Sequence, residues 1–356
     1  MTIKDIIQSR LINQQIAHSQ CSEPEEIVSM LTAMQAQDYP MAKWAIGLRL
    51  QHISDNRIEE DFNRGSILRT HMLRPTWHFV TPADIRWILS LSSPTVHAFN
   101  AYYYRQSELD ARLLSRAMKC LQKMLEGKNF LNRTAIQVLL EKDKIKAKGL
   151  RLGLVLMFAE LEALICSGPR IGKQFTYALV DERIDSSVAF YPKDPLAELT
   201  KRYFSTRGPA TSRDFMWWSG LKAAQVREGI NSLPGNFKKE TFEGLEYIFE
   251  PINHETGKKM QTSFLLPDYD EYGISYKKRD AYEPKAGAAS LRKVNSSFKH
   301  YLVINGRIGV KWKRVELKTG RIARVALLPG LDDSEKKAAE KAVINYNRFF
   351  NSERVK

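Results

Sequence analysis

The order of predicted elements constrains the fold of this chain more than any other feature of its sequence. Three helices followed by two short strands are predicted between residues 108 and 180, and the same order returns between residues 196 and 251. Three helices that end in a two-stranded wing are typical of a winged helix-turn-helix. The first 100 residues can be interpreted in the same way. The pattern lacks the strand–helix alternation of a Rossmann-type sheet.

Local signals support these assignments. Asn132 is predicted to cap a helix of the first repeat, and Thr211 is predicted to cap a helix of the second. After residue 262 the hydrophobic period changes to two, which predicts strands over residues 264–266, 301–304 and 308–315. Asn305-Gly306 is a strong hairpin signal between two of them. These strands would form a β-meander or a small barrel, covered by a last helix over residues 333–350.

The resulting prediction is an α+β fold with three tandem winged helices and a small β-barrel. The predicted domains are a first winged helix over residues 1–100, a second over 101–190, a third over 191–260, a basic barrel over 261–330 and a C-terminal helix over 331–356.

Positive charge is concentrated in the β-rich segment. The chain has 55 Lys and Arg against 40 Asp and Glu, a formal net charge of +15, and residues 277–324 hold 14 basic and 3 acidic residues. A chain with this much positive charge most often binds a polyanion, either nucleic acid or an anionic membrane surface. Basic residues on wings and strands favour phosphate contact, although lysine also protects edge strands from pairing. The candidate DNA contacts are Arg69, His71, Arg74, His78, Arg170, Lys173, Lys277, Lys278, Arg279, Arg307, Lys311, Lys313 and Arg314.

Several other classes of protein are disfavoured. The three cysteines show no CxxC motif or disulfide framework, which indicates a reducing compartment. The seven histidines lack metal-ligand spacing, so neither a metal nor another cofactor is expected. The longest apolar run, residues 152–159, is far shorter than a membrane span, and the N-terminus is too polar for a signal peptide. A cytoplasmic monomer that binds duplex DNA and no membrane is therefore expected.

The segment Gln35-Ala36-Gln37-Asp38 is the main candidate for chemistry, at a predicted joint between a helix and a loop. Two glutamines alone carry little information, because one could cap the helix while the other is solvated. They share an orientation if the segment is extended, but diverge by about 200° if it is helical. Asp38 could act as a base or could hold Gln37 in place.

At this point the sequence resembles the AlkZ-like winged-helix DNA glycosylases. The matching segments are Met34–Pro40 (MQAQDYP), 69–80, 208–215 (GPATSRDF), 218–221 (WSGL), 265–272 (LLPDYDEY) and 305–312 (NGRIGVKW). The resemblance implies that three winged helices and a β-barrel form a C-shaped clamp around duplex DNA. It also implies that Gln35 and Gln37 carry the excision of N-alkylated purines, including crosslinked ones.

This chemistry suits the residue types. An N7-alkylguanine already carries a positive charge, so it needs little acid catalysis to leave, while a water molecule must be directed at the sugar carbon. A glutamine amide can accept a hydrogen bond from that water and donate one to a phosphate or sugar oxygen. No lysine lies within the motif, which disfavours an imine-forming lyase and predicts a monofunctional glycosylase. The alternatives are a non-catalytic winged-helix DNA-binding protein or regulator and, more weakly supported, an RNA-binding protein.

Overall fold

The computed structural model describes residues 1–50, 52–251, 263–277, 282, 300–317, 320–326 and 331–351. The chain divides into two compact units. Unit 1 comprises Met1–Glu59, Leu199–Trp218 and Lys222–Lys356, and unit 2 comprises Glu60–Glu198 and Ser219–Leu221.

Helices and strands are mixed along the described chain. The helices are α1 (Ile3–Asn13), α2 (Pro24–Met30), α3 (Tyr39–Gly47), α4 (Asp55–Arg64), α5 (Ile85–Gln106), α6 (Ala111–Leu125), α7 (Arg133–Lys142), α8 (Leu150–Leu161), α9 (Val180–Arg183), α10 (Pro195–Arg207), α11 (Ser212–Ser219), α12 (Ala223–Asn231), α13 (Glu271–Ile274) and α14 (Asp333–Asn351). The strands are β1 (Met34–Gln35), β2 (Leu68–Met72), β3 (Thr76–Val80), β4 (Leu131–Asn132), β5 (Ile165–Ser167), β6 (Thr176–Leu179), β7 (Lys238–Phe242), β8 (Leu245–Phe249), β9 (Phe264–Leu266), β10 (Tyr301–Ile304), β11 (Arg307–Leu317) and β12 (Gly320–Val325).

Unit 2 contains the first predicted set of helices and its hairpin. Asn132 caps α7, because its side chain accepts a hydrogen bond from the backbone N–H of Ala135. Leu121, Ile136 and Val155, from α6, α7 and α8, are fully buried in one apolar core. Strands β5 and β6 pair antiparallel, with β4 on the other side of β6. The predicted elements are therefore present, and their assembly as a winged helix stays a prediction.

A second hairpin in unit 2 pairs β2 antiparallel with β3 across a turn at Arg74-Pro75. His71 pairs with Trp77, and Thr70 pairs with His78. Cross-strand partners project to the same face of a sheet, so His71 and His78 lie on opposite faces.

Unit 1 contains α10, α11 and α12, followed by the β7–β8 hairpin, in the predicted order. Thr211 and Asp214 form a reciprocal cap at the start of α11: the side chain of each accepts the backbone N–H of the other. Strands β9 to β12 form one antiparallel sheet in the order β12-β11-β10-β9, which is the predicted meander. Asn305 and Gly306 have φ angles of 50° and 73°, as a tight hairpin requires. Closure of this sheet into a barrel stays a prediction.

The last helix covers the sheet, as the sequence predicted. Tyr346 and Phe349 of α14 are buried against Trp44 of α3, with both ring-centroid distances at 5.3 Å. The Tyr346 ring also lies 4.8 Å from that of Trp312 on β11. The five predicted domain boundaries stay predictions. In the described part of the chain, no helix is both long and apolar enough to span a membrane.

The prediction for the N-terminal stretch was wrong in one respect that matters for the glutamine motif. The second helix ends at Met30 and not near Gln35, and Thr32 adopts a left-handed conformation with φ of 66°. Gln35 therefore lies on the short strand β1. The helix that follows, α3, begins at Tyr39, directly after the motif.

Candidate active site

Strand β1 ends at Gln35 and Gln37 lies in the bend before α3, and burial alternates along this segment. Met34 and Ala36 are fully buried, whereas Gln35 is half-buried and Gln37 is exposed. Met34 and Ala36 therefore face the core, and the two glutamine side chains lie on the solvent side of the segment. Among the described residues, neither amide group has a hydrogen-bond partner, so both are available to a ligand.

Asp38 has two structural roles directly after the glutamines. Its side chain accepts a hydrogen bond from the backbone N–H of Met41 at 3.4 Å and so caps α3. Its Oδ2 also lies 3.3 Å from Nη1 of Arg314 on β11. Arg314 makes a second ion pair through Nε, at 3.1 Å from Glu316. The motif is thereby joined to the basic sheet within unit 1.

The basic residues of β11 project to both sides of the strand. Lys311 and Lys313 are exposed, and Trp312 between them is buried. Arg314 is half-buried on the same side of the strand as Trp312, where it meets Asp38. Arg307, at the start of β11, is half-buried. The exposed side of the strand therefore offers cations that a phosphate backbone could approach.

Lys277 of unit 1 is exposed and lies three residues after the end of α13. Its Nζ lies 4.5 Å from the ring centroid of Trp217, an indole that is 37% exposed. Lys278 and Arg279, two further candidate contacts, lie outside the described residues.

In unit 2 the candidate contacts on β2 and β3 are buried. The guanidinium of Arg69 lies between two aromatic rings, 4.1 Å from the centroid of Trp77 and 4.6 Å from that of Phe175. His71 contacts the buried carboxylate of Glu160, and Nδ1 of His78 lies 2.9 Å from the carbonyl of Thr76. This burial favours a structural role for both histidines over contact with DNA. For Arg69, stacking between two rings likewise favours a structural role.

The remaining candidates in unit 2 lie in turns. Arg74 is half-buried in the β2–β3 turn. Arg170 is half-buried at the tip of the β5–β6 hairpin, where its guanidinium donates to the carbonyl of Lys173 at 2.7 Å. The Lys173 side chain is exposed. Contact of these residues with DNA stays a prediction.

Sequence analysis missed the buried groups that hold the glutamine strand. The backbone N–H of Gln35 donates to Oε1 of Glu271 at 3.0 Å, and Glu271 is paired with Arg207. Glu271 and its neighbour Asp270 belong to one acidic segment of the sequence. Glu271 pairs with Arg207, and Asp270 pairs with Arg49. The acidic residues could be noticed in the sequence, but their partners could not be identified because they lie 64 and 221 positions away.

Comparison with known proteins places these features in context. A family model described as "DNA glycosylase AlkZ-like" matches residues 28–349. An interstrand DNA cross-link repair glycosylase from Streptomyces sahachiroi is 23% identical over 204 residues, which cover 56% of this chain and 55% of that protein. The match thus spans about half the length of that relative. The solved structure of the Streptomyces sahachiroi DNA glycosylase AlkZ has the same fold, with a TM-score of 0.78 and 19% identity over 98% of this chain and 96% of that one.

Proposed function

The chain belongs to the AlkZ-like DNA glycosylase family, and from this premise we propose that it is a monofunctional DNA glycosylase. It hydrolyses the N-glycosidic bond of N-alkylated purines in duplex DNA, such as N7-alkylguanine or a crosslinked base. The observation that carries this proposal is the alternation of burial over residues 34–37, which buries Met34 and Ala36 and leaves Gln35 and Gln37 accessible.

The proposed chemistry follows from what two neutral amides can do. The cationic base departs as a neutral molecule, while positive charge develops on the sugar. The carbonyl oxygen of one glutamine accepts a hydrogen bond from the attacking water, and an amide N–H donates to an oxygen of the sugar or phosphate. A neutral side chain can take this position near phosphates without the repulsion that a carboxylate would experience.

Asp38 supports this geometry in the proposed mechanism and does not act as the base. Its carboxylate is already occupied by the N-terminus of α3 and by Arg314. Hydrolysis without an imine also agrees with the state of Lys43 on α3. That amine nitrogen is 2.8 Å from Asp55 and 2.7 Å from Glu59, so it is engaged by two carboxylates and is not directed at a substrate.

We assign DNA contact to exposed cations, namely Lys311 and Lys313 of β11, Lys277, and Lys173 of the β5–β6 hairpin. The proposed frame for these contacts is the clamp of three winged helices and a barrel that the family resemblance implies. Crosslinked purines belong to the proposed substrate class because the Streptomyces relative is named as a cross-link repair glycosylase. An open clamp would accept a bulky base that does not fit a tight flipping pocket.

A base-release assay tests the proposal. Purified protein is incubated with duplex DNA that contains N7-methylguanine or a purine crosslink, and abasic sites are measured by strand cleavage on gels. We expect Gln35→Ala with Gln37→Ala to lower turnover by about 10²- to 10⁴-fold with little change in DNA affinity. Gln122→Ala, at an exposed glutamine of α6, is the matched control and should retain turnover.

The same assay separates the non-catalytic alternative. A regulator would bind one DNA sequence preferentially, and substitution of Gln35 or Gln37 would weaken that binding. Wild-type protein that binds the alkylated duplex but releases no base would refute the glycosylase proposal.

A further inference from the structure

The strand that carries Gln35 is held by a carboxylate that belongs to a distant part of unit 1. Oε1 of Glu271 accepts the backbone N–H of Gln35 at 3.0 Å. The other oxygen, Oε2, accepts three hydrogen bonds, from Arg207 at 2.8 Å, from Trp218 at 2.9 Å and from Ser275 at 2.8 Å. Both oxygens of this carboxylate are thus occupied, and its position is fixed from several directions.

Arg207 holds the same strand from the carbonyl side. Its Nη2 donates to the carbonyl of Leu31 at 2.9 Å and to that of Ala33 at 3.2 Å, in addition to Glu271. Its guanidinium also stacks 4.3 Å from the ring centroid of Trp218. Residues 31–35 are therefore held by one buried ion pair that contacts both their N–H and their C=O groups.

The burial of this pair makes it rigid. The side chains of Arg207 and Glu271 are 0% and 1% exposed. Charge-assisted hydrogen bonds of this kind are stronger than neutral ones, especially where water is excluded. Both side chains are too buried to bind DNA directly. Any effect of the pair on the reaction would therefore act through Gln35.

We propose that Glu271 is a positioning residue for base excision, which it serves by fixing the backbone of Gln35 through its ion pair with Arg207. This inference rests on the proposed function. A neutral amide has little electrostatic attraction for the reacting groups, so its contribution depends on geometry. A displacement of about 1 Å can lower the rate of a reaction by roughly 100-fold.

The chain contains a matched control at the adjacent position. Asp270 forms a bidentate pair with Arg49 at 2.8 Å for both contacts, and both side chains are 0% exposed. Arg49 donates to the carbonyls of Gln14 and Ala45, and not to the glutamine strand. Asp270 also caps α13 by accepting the backbone N–H of Tyr272 at 2.8 Å, and asparagine at this position retains that cap. Loss of either pair disturbs a similar buried charge, but only the Glu271 pair contacts the backbone of Gln35.

The test compares Glu271→Gln with Asp270→Asn at a temperature where thermal denaturation shows that both are folded. For Glu271→Gln we expect kcat for base release to fall by about 10- to 100-fold with unchanged DNA affinity. Hydrogen exchange in the peptide over residues 31–38 should become faster. For Asp270→Asn we expect kcat to stay within about threefold of wild type, because this change does not alter the geometry of the reacting groups. Equal kcat values for the two variants, or unchanged exchange over residues 31–38, would overturn the proposal.

Two further variants keep the result interpretable. If Glu271→Gln does not fold, Ser275→Ala is used in its place, because it removes one of the three donors to Oε2 of Glu271. This variant should also lower kcat, and full activity would count against the proposal. The Gln35→Ala variant distinguishes the two hypotheses. Wild-type protein that releases no base would refute the proposed function itself. If wild type is active and Gln35→Ala also retains turnover, the catalytic role of Gln35 fails and the positioning role of Glu271 fails with it. If Gln35→Ala loses turnover while Glu271→Gln does not, only the positioning role of Glu271 fails.

Discussion

Replacing Asp38 by asparagine separates its structural roles from a role in chemistry. Asparagine caps a helix about as well as aspartate, so Asp38→Asn retains the cap and loses only the charge that pairs with Arg314. Asp38→Ala loses both interactions. Gln35 and Gln37 remain unchanged in each variant, so a loss of turnover would report on Asp38 itself.

The structure sets the expected magnitudes. The Asp38 and Arg314 side chains are 27% and 28% exposed, so their ion pair should contribute only about 0.2 to 1 kcal/mol to stability. The capping hydrogen bond is long, at 3.4 Å, so its loss should cost at the lower end of the usual range, about 0.5 to 1 kcal/mol. We therefore expect Asp38→Asn to cost at most about 1 kcal/mol and Asp38→Ala at most about 2 kcal/mol.

Urea denaturation and single-turnover base release measure these two effects. A double-mutant cycle with Arg314→Gln isolates the ion pair, and its coupling energy should fall as salt is added. Glu316→Gln removes the other carboxylate on Arg314 and is the matched control. Asp38→Asn should retain turnover within about threefold, whereas the removal of a general base costs about 10²- to 10⁴-fold. A folded Asp38→Asn protein with a loss of that size would refute the supporting role and make Asp38 the base.

Three further predictions concern DNA binding, thiol reactivity and the core. Replacing both Lys311 and Lys313 by glutamine should lower the slope of log Kd against log salt by about 1.8 in salt titrations, and an unchanged slope would exclude them as phosphate contacts. Burial raises the pKa of the Cys166 thiol to about 12, so Ellman's reagent should modify it only after unfolding; rapid reaction in the native protein would contradict this. Leu140→Ala, in the core of unit 2, should cost about 2 to 5 kcal/mol in urea denaturation, against at most about 0.5 kcal/mol for the exposed Val138→Ala on the same helix.

Elements with strong local signals could be predicted from the sequence. Asn132 begins α7 because its side chain satisfies a backbone N–H that the first turn leaves free, a requirement that distant residues do not alter. Asn305-Gly306 forms its hairpin because both residues tolerate positive φ. The alternation of polar and apolar residues likewise predicted strand β11, in which Trp312 is buried between two exposed lysines.

The environment of the charged residues could not be predicted in this way. Arg69 was a candidate DNA contact, yet all five residues of its strand, β2, are buried. A period of two indicates that a strand is present, but it does not show that both of its faces are covered. The end of α2 was missed for a related reason, because Arg207 holds the carbonyls of Leu31 and Ala33 from a position more than 170 residues away.

The early end of α2 at Met30 and the geometry of the glutamine motif have one physical cause. Had the helix continued to Gln35, Gln35 and Gln37 would point about 200° apart and could not act on one nucleotide. Outside a helix, residues 31–35 lose the internal hydrogen bonds that a helix provides, and buried backbone groups of this kind need other partners. Arg207 and Glu271 supply those partners, so the network that compensates the broken helix is also the one that orients Gln35. A substitution that restored helix over residues 31–37 would remove the need for the ion pair, and it would also separate the two amides on which the proposed hydrolysis depends.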